Sequence, residues 1–354
     1  MAELPLVTII VLNYNGRGML QWCLPSILKT DYPNYELLLV DNDSSDDSVE
    51  FVRKRYPSIR IIVNEENLGF AEGNNRGIRL ARGKYIALLN NDVLVEPEWL
   101  IELVRIAEQK TQVGALAPKI MALKVDTANQ PVQKTRLIYN TASCQDIVGF
   151  AYSRGDAHID RGQYDDVEEV LAACGICMVS RKALRTVGFF DSTFFFSHED
   201  IDLSWRMRLA GFKVYYVPTS IIHHRWGTRG KTLRMFNALY HEERNRLTTL
   251  MKLYSGFSLA IQLPRYFVLK AIQVAYLLIM NQPFARTVLS AIFASIKGLR
   301  RTLSQRMMVK SFRRVPDKEV TRFMTPYSVE LASFFSPSSG RFMTSLIREG
   351  KVSR

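Results

Sequence analysis

Four short apolar runs, separated by segments of helical length, dominate the first ninety residues. The runs are rich in Val, Ile and Leu, and they cover Val7 to Leu12, Glu36 to Val40, Ile59 to Val63 and Tyr85 to Leu89. Because strands and helices alternate, the pattern predicts an α/β fold: a mostly parallel twisted sheet with helices on both faces.

The next part of the chain is less regular. We expect a strand from Val113 to Ala117, and then an irregular insertion over 118–170 that covers one edge of the sheet. Order returns with a strand-like stretch at 174–180 and a helix from Arg181 to Val187. A helix over about 201–210 and a last strand over 212–217, closed by Pro218, complete the predicted sheet.

Polar clusters follow all four apolar runs. They are Asn13-Tyr14-Asn15, Asp41-Asn42-Asp43, Asn67-Leu68-Gly69 and Asn90-Asn91-Asp92. Each cluster alone is typical of a turn. Four in succession favour a binding edge, since open α/β sheets bind ligands beyond the carboxyl ends of their strands. The sequence has neither a G-x-x-x-x-G-K-[ST] loop nor a G-x-G-x-x-G after a strand, which argues against P-loop and dinucleotide-binding proteins.

A series of motifs in order carries a family resemblance over roughly residues 5–232. The motifs read VTIIVLNYN, LLVDNDSSD, NLGFAEGNNRG, LLNNDV, FFSHEDIDLSWR and IIHHRWG. The chain resembles the family 2 glycosyltransferases with the GT-A nucleotide-sugar-binding fold, in the rhamnosyltransferase-like branch. The resemblance implies transfer of rhamnose or another hexose from a nucleotide diphosphate donor to an acceptor hydroxyl, with inversion at the anomeric carbon.

The resemblance also implies which residues bind the donor. Asp41 would hold the nucleobase, and Asn13, Asn15, Gly69 and Asn74 would surround the base and ribose. Asn74 could equally be an exposed helix residue.

A divalent metal, Mg²⁺ or Mn²⁺, is a further implication. Asn90-Asn91-Asp92 stands where the family usually has Asp-x-Asp, so Asn90 joins the donor site and Asp92 is the expected metal ligand. One carboxylate is missing, which leaves strict metal dependence open. Alternatively, Asp92 could have only a structural role at the start of the turn before Pro97.

His224 is the second expected metal ligand. It is preferred over His223 because adjacent residues of a strand point to opposite faces and the family carries its histidine at the later position. Arg225 and Arg229 could assist the leaving diphosphate.

His198-Glu199-Asp200 is the candidate for catalysis. Acidic residues at a helix start also stabilise the helix dipole whatever the function, so the residue types alone leave the choice open. The resemblance makes Asp200 the general base, with Glu199 positioning the acceptor. We expect Asp202 and Arg206, four residues apart, to form a solvent-exposed ion pair.

Charge divides the chain near residue 244. The whole chain has a net charge of +13, but residues 244–354 contain 19 Lys and Arg against 4 Asp and Glu, which leaves −2 for the first 243. We therefore expect a glycosyltransferase domain over 1–243 and a helical, basic region over 244–354. Its apolar segments are interrupted by Arg265, Lys270, Arg286 and Lys297 into pieces about half the ~20 residues of a spanning helix.

These features predict a peripheral protein on the cytoplasmic face of the cell membrane that acts on a glycan or lipid-linked acceptor. Four scattered cysteines indicate a reducing compartment, and no basic segment precedes the first apolar run, so we expect no signal peptide. Two alternatives stay open: a nucleic-acid-binding protein, although no known binding pattern is present, and a non-catalytic nucleotide-sugar-binding protein. The oligomeric state does not follow from the sequence.

Overall fold

The computed structural model describes residues 4–126, 130–226 and 232–335. Its strands are β1 Val7–Asn13, β2 Tyr35–Asp41, β3 Arg60–Val63, β4 Tyr85–Asn90, β5 Val93–Val95, β6 Val113–Val125, β7 Pro131–Asn140, β8 Ser143–Gln145, β9 Ala151–Ser153, β10 Glu168–Glu169, β11 Cys177–Ser180 and β12 Lys213–Arg225. Its helices are α1 Arg17–Ile27, α2 Ser48–Arg55, α3 Gly69–Leu80, α4 Trp99–Gln109, α5 Arg181–Val187, α6 Glu199–Leu209, α7 Thr232–Leu253, α8 Gly256–Met280, α9 Gln282–Lys297, α10 Leu299–Phe312, α11 Asp317–Thr321 and α12 Val329–Phe335.

The chain divides into two compact units. Unit 1 holds the described residues of Met1–Ser143, Ser153–Phe195 and Glu199–Gly227, and unit 2 holds those of Cys144–Tyr152, Phe196–His198 and Thr228–Arg354. The expected boundary between residues 243 and 244 falls inside α7, which is one continuous helix. The functional division of the chain at that point stays a prediction.

Unit 1 is built on a ten-stranded sheet in the order β10-β12-β6-β11-β4-β1-β2-β3, with β5 on β12 and β7 on β6. The predicted parallel arrangement holds for β4, β1, β2 and β3, and β6 also pairs with β12 in parallel. β11 runs antiparallel between β4 and β6. The carboxyl ends of β1, β2 and β4 therefore meet at one edge of the sheet.

Buried aliphatic and aromatic side chains hold the helices of unit 1 against this sheet. α4 is an example, because Trp99, Leu100 and Leu103 are all essentially inaccessible and α4 packs on β6 and β12. Fully burying a large apolar side chain contributes about 1.5–3 kcal/mol. The apolar face of α4 thus fixes the position of two strands that lead to the functional edge.

The insertion over 118–170 is more ordered than the sequence predicts. β6 continues to Val125 and β7 pairs with it, so the expectation of an irregular stretch is wrong for these residues. Lys119 interrupts the apolar pattern of β6, but its buried ammonium bonds Asp160 and Asp165 at 3.0 and 2.5 Å. A charged residue in a strand is tolerated when it is paired in this way.

Pro218 does not close the last strand. β12 runs on to Arg225, and its register with β6 shifts between Val217 and Ile221. Proline lacks the N–H that a regular ladder needs, and the bulge removes that requirement. The strand therefore reaches His223 and His224 beyond the proline.

Unit 2 consists of α7 to α12 with residues 144–145 of β8 and 151–152 of β9; the outer residues of these two strands, Ser143 and Ser153, belong to unit 1. Its interior contains Leu247, Leu250, Tyr254 and Tyr266. It also contains a buried ionic cluster around Lys270, whose Nζ bonds Glu243 Oε1 at 2.6 Å and Glu330 Oε1 at 3.0 Å. Because Lys270 is paired inside the unit, it does not interrupt α8.

α8 corrects the expectation that the apolar segments of the basic region are all too short to span a membrane. It is a single helix of 25 residues, and among the described residues it alone has the length and composition to cross a membrane. This is weak evidence for spanning, since a buried helix of a soluble protein passes the same test. Only about 28% of its most apolar window is buried inside the protein.

Candidate functional site

The ends of β1 and β2 are joined by side-chain hydrogen bonds. Asn13 Nδ2 donates to Asp41 Oδ2 at 2.7 Å, and Ser44 donates to the same oxygen through Oγ at 2.7 Å and to Oδ1 through its backbone N–H at 2.9 Å. Asp41 is fully buried. A carboxylate has about four acceptor positions, so its three bonds to these two residues leave about one for a ligand.

Ser44 also fixes Asn15. Its Oγ accepts the backbone N–H of Asn15 at 2.8 Å, and Asn15 Oδ1 accepts the N–H of Ser45 at 2.8 Å. Asn15 adopts a left-handed φ of 49°, a conformation that asparagine tolerates. Ser44 and Ser45 therefore hold the two loops of this edge together. The first turn of α2 is held separately by Asp46, which accepts hydrogen bonds from the backbone N–H and the hydroxyl of Ser48.

Gly69 and Asn74 lie on the next segment along the edge. Gly69 O accepts from Asn42 Nδ2 at 2.8 Å, and Gly69 has a φ of 73° with the Phe195 backbone so close that a Cβ would collide with it. Only glycine fits there. Asn74 is buried and donates to Phe70 O in its own helix, so the alternative of an exposed helix residue is wrong.

Asn90, Asp92 and His224 form a second group of polar side chains. His224 Nε2 lies 3.1 Å from Asp92 Oδ1 and 3.4 Å from Asn90 Nδ2, and the His224 and Tyr139 rings are 4.5 Å apart between centres, tilted by 48°. His223 points the other way and contacts Glu96 Oε1 at 2.7 Å. The two adjacent histidines of β12 thus face opposite sides, as the strand geometry requires.

The charge of Asp92 is stabilised by its neighbours. Burial raises the pKa of Asp92, but His224 and then Arg225 outweigh burial, so that the pKa lies below its ordinary value. Arg229, the other cation predicted near the diphosphate, lies outside the described residues. Asn91 connects this group to the first one, because its Nδ2 donates to Asn13 Oδ1 at 2.7 Å.

Asp200 and Glu199 begin α6 and form a third group. Ser143 Oγ donates to Asp200 Oδ2 at 2.7 Å, while the backbone N–H of Ile201 donates to Asp200 Oδ1 at 2.8 Å. Ser143 is brought there by β8, where its N–H bonds Ala172 O at 3.1 Å. Glu199 is buried, and no partner for its Oε2 is found among the described residues.

Burial dominates the ionisation of this group. It raises the pKa of Glu199 to about 8, with a further contribution from the Asp200 charge. It also raises the pKa of Asp200, although the hydrogen bonds from Ser143 and Ile201 oppose that rise. Burial and the Asp200 charge raise the pKa of the Cys174 thiol to about 12. Burial therefore favours the protonated form of Glu199, whereas the hydrogen bonds from Ser143 and Ile201 favour the ionised form of Asp200.

The backbone before Glu199 is strained. Ser197 and His198 both have left-handed φ angles, 72° and 67°, and within unit 2 Asn245 Nδ2 donates to the carbonyls of Phe196 and Ser197 at 3.0 and 2.7 Å. Such conformations cost about 1–3 kcal/mol each and persist where surrounding contacts enforce them. Asn245 supplies such contacts for this loop.

Asp202 and Arg206 are not the solvent-exposed pair that their spacing predicts. Both are buried, Arg206 Nη2 lies 2.8 Å from Asp202 Oδ2, and the same guanidinium donates to the Val187 and Phe189 carbonyls. The pair ties α6 to the loop after α5. The helical spacing identifies the partners correctly but does not reveal which face of α6 is covered.

Each predicted site residue thus falls in one of these local groups within unit 1. Two contacts of this site are not predicted from the sequence, that of Ser143 with Asp200 and that of Ser44 with Asp41. A serine three residues after a strand-end aspartate could have suggested the Asp41 contact, because such side chains bond neighbouring backbone and carboxylate groups. No comparable sequence signal points to Ser143, which lies 57 residues before Asp200.

A family comparison decides the assignment. The model of glycosyl transferase family 2 matches residues 8–188, about half of the chain. This chain belongs to glycosyl transferase family 2. The matched range contains the ends of β1, β2 and β4 together with Ser143.

Curated relatives agree with this membership. N-acetylglucosaminyl-diphospho-decaprenol L-rhamnosyltransferase of Mycobacterium tuberculosis is 27% identical over 66% of this chain and 81% of its own length. O-antigen biosynthesis protein RfbC of Myxococcus xanthus is 26% identical over 64% of this chain. The chain spans only 18% of the length of RfbC, and 25% and 37% of two other relatives without an assigned specific activity.

A solved structure supports the same fold. The chain is similar to GalNAc-T7, solved with UDP, GalNAc and Mn²⁺, at a TM-score of 0.58 and 14% identity over 73% of this chain and 49% of that one. The predicted GT-A fold, with its mostly parallel sheet, is confirmed. A likeness at this identity concerns the fold alone.

Proposed function

We propose that this protein is a glycosyltransferase that uses a nucleotide diphosphate sugar. The observation that carries the proposal is the polar edge of unit 1, where Asn13, Asp41 and Ser44 are bonded into one group and Asn91 links it to the segment that bears Asp92. Parallel sheets bind nucleotides at such an edge. The family membership supports this reading, and the relatives include sugar transferases.

The donor would be held by two parts of this edge. Asp41 binds the nucleobase through its remaining acceptor position, while Asn13 and Asn15 border the base and ribose. Gly69 brings the backbone of α3 close to the ligand, and the buried Asn74 supports that helix start. Asn90 lies at the diphosphate end with Asp92.

A divalent cation, Mg²⁺ or Mn²⁺, fits the residues present. Asp92 Oδ1 lies 3.1 Å from His224 Nε2, and a buried carboxylate oxygen that faces an imidazole nitrogen suits such an ion. The described residues contain no cluster of three or more acidic, His or Cys ligands. Asp92 and His224 would therefore hold the ion together with the diphosphate, and the bound ion would stabilise the leaving charge.

Asp200 is the proposed general base. It takes the proton of the acceptor hydroxyl as that oxygen bonds the anomeric carbon, while the bond from this carbon to the diphosphate breaks on the opposite face, which gives inversion. The Ser143 and Ile201 donors keep Asp200 ionised and fix its direction. Protonated Glu199 donates a hydrogen bond to the acceptor and so positions it.

The acceptor is proposed to be a lipid-linked glycan at the cytoplasmic face of the membrane. The relative from Mycobacterium tuberculosis is named for a diphospho-decaprenol acceptor, and the basic composition after residue 243 favours an anionic membrane surface. Rhamnose is the first sugar to test. The absence of nucleic-acid binding also stays a prediction.

The test begins with thermal unfolding in the presence of nucleotide sugars, with and without Mn²⁺, because specific binding raises the melting temperature. The protective donor is then incubated with lipid-linked acceptors, and release of nucleoside diphosphate is measured. Asp41→Asn should lose the protection. Asp43→Asn is the matched control, since Asp43 is exposed and its left-handed φ of 63° tolerates asparagine.

Protection without transfer to any acceptor would favour the non-catalytic nucleotide-sugar-binding protein. No protection by any nucleotide sugar, or equal protection in the Asp41→Asn and Asp43→Asn variants, would contradict the proposed donor site.

A further inference from the structure

α8 exposes a line of apolar side chains and buries two polar residues, Lys270 and Gln273, beside Tyr266 and Leu277. Phe257, Val268 and Ile279 are 80, 61 and 84% exposed. They are eleven residues apart, about three helical turns, so they lie in one line along the helix. Ile261 and Ile272 are exposed beside this line, with the same spacing.

The opposite side of α8 is buried and carries polar groups. Lys270 and Gln273 are 2 and 4% exposed, and Lys270 Nζ bonds Gln273 Oε1 at 2.8 Å in addition to Glu243 and Glu330. Arg246 joins the cluster through Glu330 Oε2 at 2.8 Å. The buried ions of this side are thus paired with one another inside unit 2.

From the exposed apolar line and the buried, paired Lys270 we propose that α8 lies in the plane of an anionic bilayer, with Phe257, Val268 and Ile279 inserted and Lys270 directed into unit 2. The proposal deepens the membrane association in the proposed function and rests on it. A helix with one apolar and one polar side that borders basic segments is typical of interfacial membrane binding.

The ion cluster argues against a spanning orientation. Glu243 and Arg246 belong to α7, so crossing the bilayer with this packing intact would also bring their charges into hydrocarbon. Without that packing, Lys270 and Gln273 would face lipid alone. Buried charges that lose their partners are strongly unfavourable.

The charge of the neighbouring helices favours lipid over a second copy of the chain. Lys297 ends α9, and Arg300 and Lys310 on α10 are exposed together with the apolar Leu303 and Met307. Two copies pairing through this region would bring like charges together, whereas anionic head groups complement them.

The first experiment measures binding of the full chain to vesicles of 70% phosphatidylcholine and 30% phosphatidylglycerol. The triple variant Phe257→Gln, Val268→Gln and Ile279→Gln should bind at least about tenfold more weakly, because it removes inserted apolar surface. A matched control replaces Val63, Leu80 and Ile159, which are 41–49% exposed in unit 1, by glutamine and should bind as the unaltered chain does.

The second experiment determines orientation. The variants Phe257→Cys and Ile279→Cys are each labelled with an environment-sensitive fluorophore, which lipids brominated at known depths quench. The unaltered chain, treated in the same way, gives the signal from the four native cysteines. The two positions are about 33 Å apart along the helix. A helix in the plane places both at one shallow depth of the outer leaflet. Probes in opposite leaflets would overturn the proposal in favour of spanning.

Three other results would also overturn it: no vesicle binding by the unaltered chain, unchanged binding by the α8 triple variant, or loss of a dimer in sedimentation when α8 is altered. Donor-induced thermal protection is measured on the same variants and should be retained. If donors do not protect the unaltered chain, the proposed donor site is contradicted. If donors protect the chain fully but the unaltered chain binds vesicles weakly, only the proposed role of α8 is contradicted.

Discussion

Removing the Ser143 hydroxyl should change the pH dependence of catalysis more than its maximum. In the structure Ser143 Oγ donates to Asp200 Oδ2 at 2.7 Å, and Ser143 is only 8% exposed, so water does not readily replace the bond. Burial raises the pKa of Asp200 and the Ser143 bond opposes that rise. Ser143→Ala therefore raises the pKa further, and the base stays protonated to a higher pH.

The magnitude follows from the strength of the lost bond. A hydrogen bond to a charged group contributes about 1.5–3 kcal/mol, which corresponds to roughly 10- to 150-fold in the ionisation equilibrium. We expect kcat/KM to fall by at least about tenfold on the acidic side of the profile, and by less where Asp200 is fully ionised.

The assay is the release of nucleoside diphosphate as a function of pH. Ser143→Thr keeps a hydroxyl and should restore much of the profile. Ser153→Ala is a matched control in unit 1, because Ser153 Oγ accepts from the uncharged amide of Asn140 at 3.1 Å. The profile reflects the Asp200 environment, which includes Glu199 and the Cys174 and Cys177 thiols. An equal loss of activity at every pH would refute the reasoning.

Three further predictions concern the carboxylates. Asp200→Asn should lower transfer by about 10²- to 10⁴-fold with donor protection nearly unchanged, and turnover above a tenth of the unaltered rate would exclude Asp200 as the base. Asp92→Ala should weaken binding of the nucleoside diphosphate at least about tenfold more than binding of the nucleoside in titrations with Mn²⁺, and equal losses, or full activity in excess chelator, would contradict the metal role. Glu199→Gln should stabilise the protein at pH 8 but not at pH 4.5. Burial raises the pKa of Glu199 to about 8, so between pH 4.5 and pH 8 the folded chain keeps a proton on Glu199 that the unfolded chain releases. The folded state of the unaltered protein therefore loses stability as the pH rises through this range. A gain on the order of 2–4 kcal/mol at pH 8 is expected in denaturant unfolding, and identical differences at both pH values would contradict it.

The sequence predicts the elements of unit 1 well where local pattern and packing agree. α5 spans the predicted Arg181–Val187, and the first four strands extend no more than about one residue beyond or short of the predicted runs. The apolar pattern is a local property, and β1, β2 and β4 are largely buried, as the pattern predicts. The edge strand β3 has no buried residue but still forms at the predicted position.

The sequence-based predictions fail where a partner far away in the chain determines the structural role of a residue. Lys119 looks like the end of a strand until Asp160 and Asp165 pair with it, and Pro218 looks like a stop until a bulge accommodates it. The Ser143 contact with Asp200 has the same origin, since a ladder position on β8 brings the serine to the carboxylate. Such partners lie 41 or more residues away in the chain, beyond the range of any spacing rule.

Ion pairs and hydrogen bonds inside the basic region reduce the number of cations that can bind an anionic membrane. Of seven cations from Lys297 to Arg314, Arg306 donates to Met251 O, and Arg313 lies 2.7 Å from Asp317. At most five of the seven are left for an anionic surface. Each Lys or Arg near such a surface contributes about 1 kcal/mol, so half of them would give at most about 2–3 kcal/mol. Stable attachment then requires burial of the α8 apolar side, which salt does not screen. Raising salt from about 0.15 to 0.5 M should therefore release only part of the protein from anionic vesicles. Complete release would mean that charge alone holds it and that α8 does not insert.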